Sequence, residues 1–253
     1  MASKLKLAID VIRSIKNWPT YFADYLGLVK GKTVLYELKN GIRYRLRPNT
    51  FDRNVINEVW LYGFYTPEGF RIGKNDVVLE IGGHIGVFSV YASKLAKKVY
   101  VFEPVPDNYR LLEENLRLNN AGNVLLVKKA VSGKSGSMKM NINEHHTHSL
   151  TIKDGDGNTI EVETITLKEF LKENKIPRVD FLKMDCEGSE YEILLDCPSE
   201  VLDRIRKISI EYHVSGGNLD HNSLKEFLEK GGFKVTVKPV LKGNGMLYAS
   251  RKT

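Results

Sequence analysis

Val77-Val78-Leu79-Glu80-Ile81-Gly82-Gly83-His84-Ile85-Gly86, answered by Val99-Tyr100-Val101-Phe102-Glu103-Pro104, decides how this 253-residue chain folds. A short apolar run ends in an acid and a glycine-rich turn. A helical pattern follows, with Phe88, Tyr91, Ala92 and Leu95 as its apolar stripe, and a second apolar run ends in another acid. These alternating periods predict a βαβ unit with a nucleotide-type pocket at the carboxyl edge of its strands. The glycines would let backbone approach a ligand closely. Glu103, 23 residues beyond Glu80, stands where a carboxylate accepts hydrogen bonds from both hydroxyls of a ribose.

The dinucleotide fingerprint G-x-G-x-x-G does not fit, because it requires glycine at 81 and the residue is Ile81. What fits is E-x-G-x-x-x-G, Glu80 through Gly86, which resembles the pattern of class I S-adenosylmethionine-dependent methyltransferases. That cofactor has no pyrophosphate and does not need a three-glycine phosphate cradle. Taken alone, the stretch leaves a dehydrogenase or a plain βαβ core open.

Outward from this unit the alternation continues. Pro106-Asp107 opens a helix reaching about Asn119, Val124–Val127 is the third strand, and Val179–Met184 and Ile208–Glu211 are the fourth and fifth. Ala130-Val131 places small apolar residues where they could flank an adenine. Met138–Ile142 and Thr159–Ile165 are added strands around a polar insertion, and Phe233–Val237 with Met246–Ala249 form a closing pair. The expected fold is α/β, a doubly wound Rossmann-like seven-stranded sheet with one reversed strand near the C-terminus. Residues 71–253 are expected to form the cofactor-binding domain and residues 1–70 an N-terminal helical and β-hairpin extension.

The net charge is +7, and residues 1–60 hold 11 Lys and Arg against five Asp and Glu, so the excess lies in front of the βαβ core. Leu5, Ala8, Ile9, Ile12 and Ile15 share one face of a helix over 4–16, read as packing on its own domain or on a second copy in a homo-oligomer. Peripheral membrane contact through the same residues is the alternative. Asn40-Gly41 joins a hairpin that sets Arg43, Arg45 and Arg47 on one face, expected to be solvated, with a meeting place for anions as the alternative. Asp52 is placed as the cap of a helix to about Tyr62, and Glu58 and Tyr65 as packing residues or a substrate wall. No apolar run approaches the roughly 20 residues that span a bilayer. Cys186 and Cys197 have neither zinc-type nor disulfide-framework spacing, so the expected compartment is the cytoplasm.

Three motifs fail on inspection. Gly133-Lys134-Ser135 resembles the end of a phosphate-binding loop, but neither Lys128 nor Lys129 supplies its first glycine. His145-His146-Thr147-His148 lacks suitably spaced acids or cysteines and reads as a surface or substrate-facing loop. Asp154-Gly155-Asp156-Gly157-Asn158 has Ile165 where a calcium loop needs glutamate, and reads as a turn.

The carboxyl edge of the expected sheet gathers Glu80, Gly82, His84 and Gly86, then Glu103, then Asp185 and Glu187, then Glu211 and His213. Acids at this density are costly to bury unless used or paired. Methyl transfer to oxygen needs alignment and removal of the hydroxyl proton. Asp185 and His213 are the candidate bases. A divalent metal on Asp185 with Glu211 or His213 is the weaker alternative, and no residue is assigned as a metal ligand. The aromatic N-P-P-Y type element of base-amino methyltransferases is replaced by Asp185-Cys186-Glu187-Gly188.

These segments resemble the FkbM family of S-adenosylmethionine-dependent methyltransferases. Val78–Ser89, Phe102-Glu103-Pro104 and Thr164-Ile165-Thr166-Leu167 carry the likeness, and Asp180-Phe181-Leu182-Lys183-Met184-Asp185-Cys186-Glu187-Gly188-Ser189-Glu190 is its most specific part. The resemblance implies O-methylation of a hydroxyl on a sugar, glycan or other small molecule, with S-adenosyl-L-methionine as cofactor. It implies cofactor contacts at Glu80, Gly82, Gly83, His84, Gly86, Glu103, Pro104, Ala130 and Asp185, and a catalytic edge at Asp185, Glu187 and His213. Glu80 replaces the family's usual aspartate, and Gly83-His84 its usual alanine-asparagine. RNA methylation through the basic front, or a non-catalytic binding module, are the rival functions.

Overall fold

The computed structural model describes residues 2–142, 148–149, 158–213, 220–241 and 244–251. His145, His146 and Thr147 of the histidine run, and Asp154 to Gly157 of the turn, lie outside the described residues.

Two helices, α1 (Ala2–Ser14) and α2 (Trp18–Tyr25), lead into the hairpin β1 (Val34–Glu37) and β2 (Arg43–Leu46). Helix α3 (Asp52–Ile56) continues as one π-helical turn, Asn57–Leu61. The expected βαβ series follows as β3 (Val77–Ile81), α4 (Val87–Ser93), β4 (Lys98–Phe102), α5 (Pro106–Leu118) and β5 (Val124–Val127). A side sheet contains β6 (Ala130–Val131), β7 (Gly136–Ile142), β8 (His148–Ser149) and β9 (Asn158–Ile165). The chain then runs through α6 (Leu167–Glu173), β10 (Phe181–Met184), α7 (Glu190–Leu195), α8 (Ser199–Leu202) and β11 (Lys207–His213). It closes with α9 (His221–Lys230), β12 (Phe233–Leu241) and β13 (Asn244–Arg251).

The main sheet has seven strands in the order β12-β13-β11-β10-β3-β4-β5. β11, β10, β3, β4 and β5 are mutually parallel, and β13 runs against both of its neighbours. This is the sheet with one reversed strand that the alternation predicts. The chain leaves β3 toward β4 and β5 and later returns to β3's other side as β10. The switch point therefore lies between β3 and β10, where open α/β sheets form their ligand crevice.

Close packing at that crevice explains the glycines. Gly82 has φ +83°, and a Cβ there would stand 1.8 Å from the Asp185 carbonyl oxygen. A Cβ on Gly83 would meet Val101 Cγ2 at 2.4 Å, and Gly86, at φ +84°, packs on Leu112. These glycines are already required by strand–strand and strand–helix contact within the protein.

The extension shares its core with the sheet. Val11, Ile15, Tyr21, Tyr36, Tyr44, Leu46, Ile56 and Tyr65 form one apolar cluster with Ile85, Val87, Phe88, Leu112 and Phe181. The sheet's other face packs on Phe170, Tyr191, Leu194, Leu224 and Leu228. Asn115 and Asn119, one turn apart on α5, lock the hairpin in place. Their Oδ1 atoms accept from the Arg45 and Arg43 amides at 2.7 and 2.9 Å, and their Nδ2 groups donate to the carbonyls of the same residues. The edge of β2 thus finds partners without another strand.

Helix α1 only partly turns the expected face inward, since Ile15 just beyond it is buried as expected but Val11 takes the place of Ile9 and Ile12. Val11 and Ile15 are buried with Leu7 packed beside them, while Leu5, Ile9 and Ile12 are exposed. Among the described residues no helix is long and apolar enough to cross a membrane. Arg43 and Arg45 face solvent as expected, but Arg47 is drawn inward by Asp52, whose carboxylate it grips.

Replacing Gly82 with alanine adds both a left-handed backbone penalty and a clash with backbone that cannot rotate away. The expected loss is about 2–5 kcal/mol, read as a lowered denaturation midpoint. A stability within about 0.5 kcal/mol of wild type contradicts the close contact between Gly82 and the Asp185 backbone.

Candidate active site

A cavity of about 310 Å³ opens at the carboxyl edge of β3, β4, β10 and β11, a size suited to a small-molecule ligand. One part of its lining is apolar. Pro104, Val105, Ala130, Val131 and Met140 form that part, together with Phe102. The acidic end is lined by Glu58, Asp185, Glu187 and Glu211, with Lys183 beside them.

Glu103 also lines the cavity and is 4 % exposed. Its Oε2 accepts the His84 amide at 2.7 Å and its Oε1 the Val105 amide at 2.9 Å. Burial pushes its carboxyl up, against the pull of those two N–H groups. The His84 amide reaches Glu103 because His84 takes the left-handed region at φ 49°. Asn108 lines the same cavity, and its buried Oδ1 has no hydrogen-bond partner among the described residues. A buried amide oxygen without a donor costs about 1–3 kcal/mol, which a ligand donor would recover.

Glu80 faces this cavity but is already engaged. Ser89 Oγ donates to its Oε2 at 2.6 Å, and Lys183 Nζ lies 3.8 Å from its Oε1. Burial outweighs both and pushes Glu80 up to about 7.

His84's ring departs from a simple cofactor contact. Its Nε2 lies 3.0 Å from Arg47 Nη2 and 3.3 Å from Asp52 Oδ1, and Arg47 grips Asp52 through Nε and Nη2 at 2.9 and 2.8 Å. This is why Arg47 leaves the solvated stripe. Asp52 is the first residue of α3 and offers no side-chain cap; Phe51 holds the cap position. Its carboxylate is instead consumed by Arg47, including the Arg47 amide at 2.9 Å. The trio ties the extension to the glycine turn.

The acidic end is built by three elements. β10 carries Lys183 opposite Glu80 and ends in Asp185; β11, pairing Ile210 with Met184, ends in Glu211, Tyr212 and His213. The extension adds Tyr65, whose hydroxyl stands 2.8 Å from both Asp185 Oδ2 and Glu211 Oε2. Its single proton serves two carboxylates. Burial together with the neighbouring acids pushes Glu58 up to about 8 and Glu211 up to about 7. Burial works against ionisation of Asp185 too, but Lys183 and His213 hold its carboxyl below the usual range.

Lys183 is buried, donating to the Gly82 carbonyl at 2.7 Å, with Asp185 Oδ2 at 3.4 Å and the Tyr65 ring centroid at 4.9 Å. Burial favours the neutral amine, yet Asp185 and Glu80 together raise its pKa. Glu187 reaches the site from a left-handed backbone at φ 53°, a strain of about 1–3 kcal/mol of the kind concentrated at functional sites. His213 adjoins Glu187 and Glu211, with Nδ1 3.2 Å from the fully buried Glu190 and Nε2 3.6 Å from Glu187 and 4.0 Å from Glu211. Burial would lower its pKa; the bond to Glu190 and the fields of Asp185 and Glu187 push it up to about 10.

The structure therefore brings Glu80, Gly82, Gly83, His84, Glu103, Pro104, Ala130, Asp185 and Glu187 to one cavity; Gly86 is not among its lining residues, and His213 adjoins it with a ring nitrogen within 4.8 Å of the Asp185 and Glu187 carboxylates. Lys183, Ser89 and Asn108 join the site although the sequence reading assigns them no role. A lysine inside the buried strand Phe181-Leu182-Lys183-Met184 is the available signal, since such a position is rarely charged without a partner.

Residues 80–235 match the family model described as the methyltransferase FkbM domain. The chain is 26 % identical over 236 residues to the 31-O-demethyl-FK506 methyltransferase FkbM of Streptomyces tacrolimicus, covering 79 % of this chain and 89 % of that one. It is 27 % identical over 143 residues to the hexuronic acid methyltransferase AglP of Haloferax volcanii, covering 55 % and 57 %. Among solved structures, methyltransferase FkbM from Methylobacillus flagellatus KT superposes with a TM-score of 0.54 at 15 % identity, covering 79 % of this chain and 52 % of that one.

Asp52→Asn removes the charge that Arg47 and His84 share. Asp52 is held below its ordinary value of 3.8: burial opposes this, and the bonds from His84 and Arg47 override it. A depressed carboxyl stabilises the fold above its unfolded pKa and loses that contribution as pH falls through its folded pKa. The variant should be about 2–4 kcal/mol less stable at pH 7, with the gap to wild type closing below about pH 4. A gap constant between pH 7 and pH 3 in denaturation midpoints contradicts this.

Proposed function

Because the chain belongs to the methyltransferase FkbM domain family, we propose that it transfers the methyl group of S-adenosylmethionine to a hydroxyl of a sugar, glycan or other small molecule. One observation carries the reading: a single cavity is lined both by apolar side chains beside Glu103 and by acids where a proton can be taken up.

The residues present fit that cofactor. Ala130, Val131 and Pro104 offer apolar faces for a purine, and the orphaned Asn108 Oδ1 offers an acceptor for a donor such as an amino group. Glu103 has one backbone donor on each oxygen and a further hydrogen bond from the Asn108 side chain, which leaves a lone pair for a ribose hydroxyl. Glu80, Asp185 and Glu211 suit the positive charge at the opposite end. When bound, the cofactor supplies a methyl group already activated by its sulfonium.

The chain's own groups supply the rest. Asp185 and Glu211, linked through the Tyr65 hydroxyl, face the cavity and are the proton acceptors for the attacking hydroxyl. Lys183 holds Asp185 in place and balances its charge. His213, whose Nε2 stands 3.6 Å from Glu187, positions that carboxylate. Overall, a hydroxyl and the methyl donor become a methyl ether, S-adenosylhomocysteine and one proton.

The acidic side chains at the acceptor end suit an uncharged hydroxyl and oppose a phosphate-rich polymer. Arg43 and Arg45 do not line this cavity, so the basic stripe lends no support to RNA as acceptor. The relatives named for a hexuronic acid and for a 31-O-demethyl compound are consistent with an oxygen acceptor on a small molecule or sugar.

Turnover of the cofactor against a panel of sugars, nucleotide sugars, lipid-linked glycans and RNA tests the acceptor class. A sugar or small-molecule product supports it; methylation of RNA alone sinks it. Glu103→Ala should weaken cofactor binding by about 10- to 100-fold in calorimetry, and unchanged affinity removes Glu103 from the ribose. Asp185→Asn should lower kcat about 10²- to 10⁴-fold with cofactor affinity within a few-fold; full turnover excludes it as proton acceptor.

A further inference from the structure

We propose that the acidic end of the cavity is a site for one hard divalent cation, Mg²⁺ or Mn²⁺, ligated by Asp185, Glu187 and His213. Its chemical role rests on the methyltransferase reading; the site itself rests on geometry.

A carboxylate oxygen from Asp185, another from Glu187 and a ring nitrogen of His213 lie within 4.8 Å of one another. His213 Nε2 and Glu187 Oε2 are 3.6 Å apart. Two bonds of about 2.1 Å span about 3.0 Å at right angles and about 4.2 Å when opposed, so this pair lies between the two arrangements and about 0.6 Å from either. Asp185, within 4.8 Å of both, would close by up to about 0.6 Å opposite one of them and up to about 1.8 Å at right angles to the other. Its Oδ2 is taken by Tyr65 and Lys183, while Oδ1 has no hydrogen bond among the described residues. Glu211 shows the same division, with Oε2 at Tyr65 and Oε1 4.0 Å from His213 Nε2.

The surroundings orient these donors as metal sites require. His213 Nδ1 lies 3.2 Å from Glu190, whose side chain has no exposed surface. A carboxylate on one imidazole nitrogen fixes the tautomer and leaves the other nitrogen for a cation. Glu190 is itself fixed by the Cys186 and Gly188 amides at 3.1 and 2.9 Å. Those amides belong to the turn that carries Glu187, so one buried acid positions two of the three ligands. The left-handed Glu187 backbone then has a purpose, because it points the carboxylate at His213. Two carboxylates and one imidazole, with open positions toward the cavity, favour an oxygen-preferring cation over a thiolate-preferring one. An acceptor hydroxyl at an open position would be oriented and made more acidic, and its proton would pass to Glu211.

Manganese binding to the metal-stripped full-length protein, without cofactor or acceptor, tests the site. Electron paramagnetic resonance should show uptake of one Mn²⁺ per chain, with a nitrogen coupling that disappears in His213→Gln. Glu187→Gln, on a partly exposed turn that tolerates the change, should weaken uptake at least about 10-fold, and Glu190→Gln about 10- to 100-fold. No saturable uptake, or affinities for all three variants within twofold of wild type, overturns the proposal. S-adenosylmethionine titrated into the same samples separates the two readings. Cofactor binding without manganese uptake overturns this inference and leaves the methyltransferase reading. Manganese uptake without cofactor binding keeps the site and sinks that reading.

Discussion

The ammonium of Lys183 is the constraint on which the carboxyl edge depends. It is buried in the middle of a strand, with Glu80 before it on the neighbouring strand, Asp185 two residues on and the Tyr65 ring above. Without it, burial would drive both acids neutral or out of the fold. With it, a carboxylate stays ionised at the end of β10, where the acceptor meets the donor. The same ammonium donates to the Gly82 carbonyl, so the charge balance of the site and the course of the glycine turn are one arrangement.

Two tight turns meet there. The β3 turn carries Gly82 against the Asp185 backbone, and the β10 turn carries Glu187 in a left-handed conformation. Each is shaped by the other's backbone, which explains why the acids of two strands converge within a few ångströms. The extension completes the enclosure through Glu58 and Tyr65. The π-helical turn at Asn57–Leu61 adds a residue to the helical repeat and carries Glu58 on the side that lines the cavity. The extension shares its apolar core with α4 and β10, so the acceptor wall and the sheet are built as one body.

Much of this is legible in the sequence. The parallel core, the reversed strand and the clustering of Glu80, Glu103, Asp185 and Glu187 follow from hydrophobic periods and from acids placed at strand ends. What is not legible depends on contacts distant in sequence. Asp52 reads as a helix cap because its neighbours look like a helix start, but Arg47 and, from 32 residues away, His84 claim its carboxylate. Helix α1 has apolar residues around more than half its circumference, so periodicity alone does not choose Val11 over Ile9 as the buried contact. His213 reads as a base because it ends a strand at the right edge; only the fold sets Glu190 and Glu187 on its two nitrogens.

A crystal structure with S-adenosylhomocysteine bound tests most directly whether this cavity is the donor site. The adenine should lie between Pro104 and Ala130-Val131 and the ribose on Glu103, with the sulfur directed toward Asp185 and Glu211. A nucleoside bound elsewhere, or lying with its ribose away from Glu103, would contradict it.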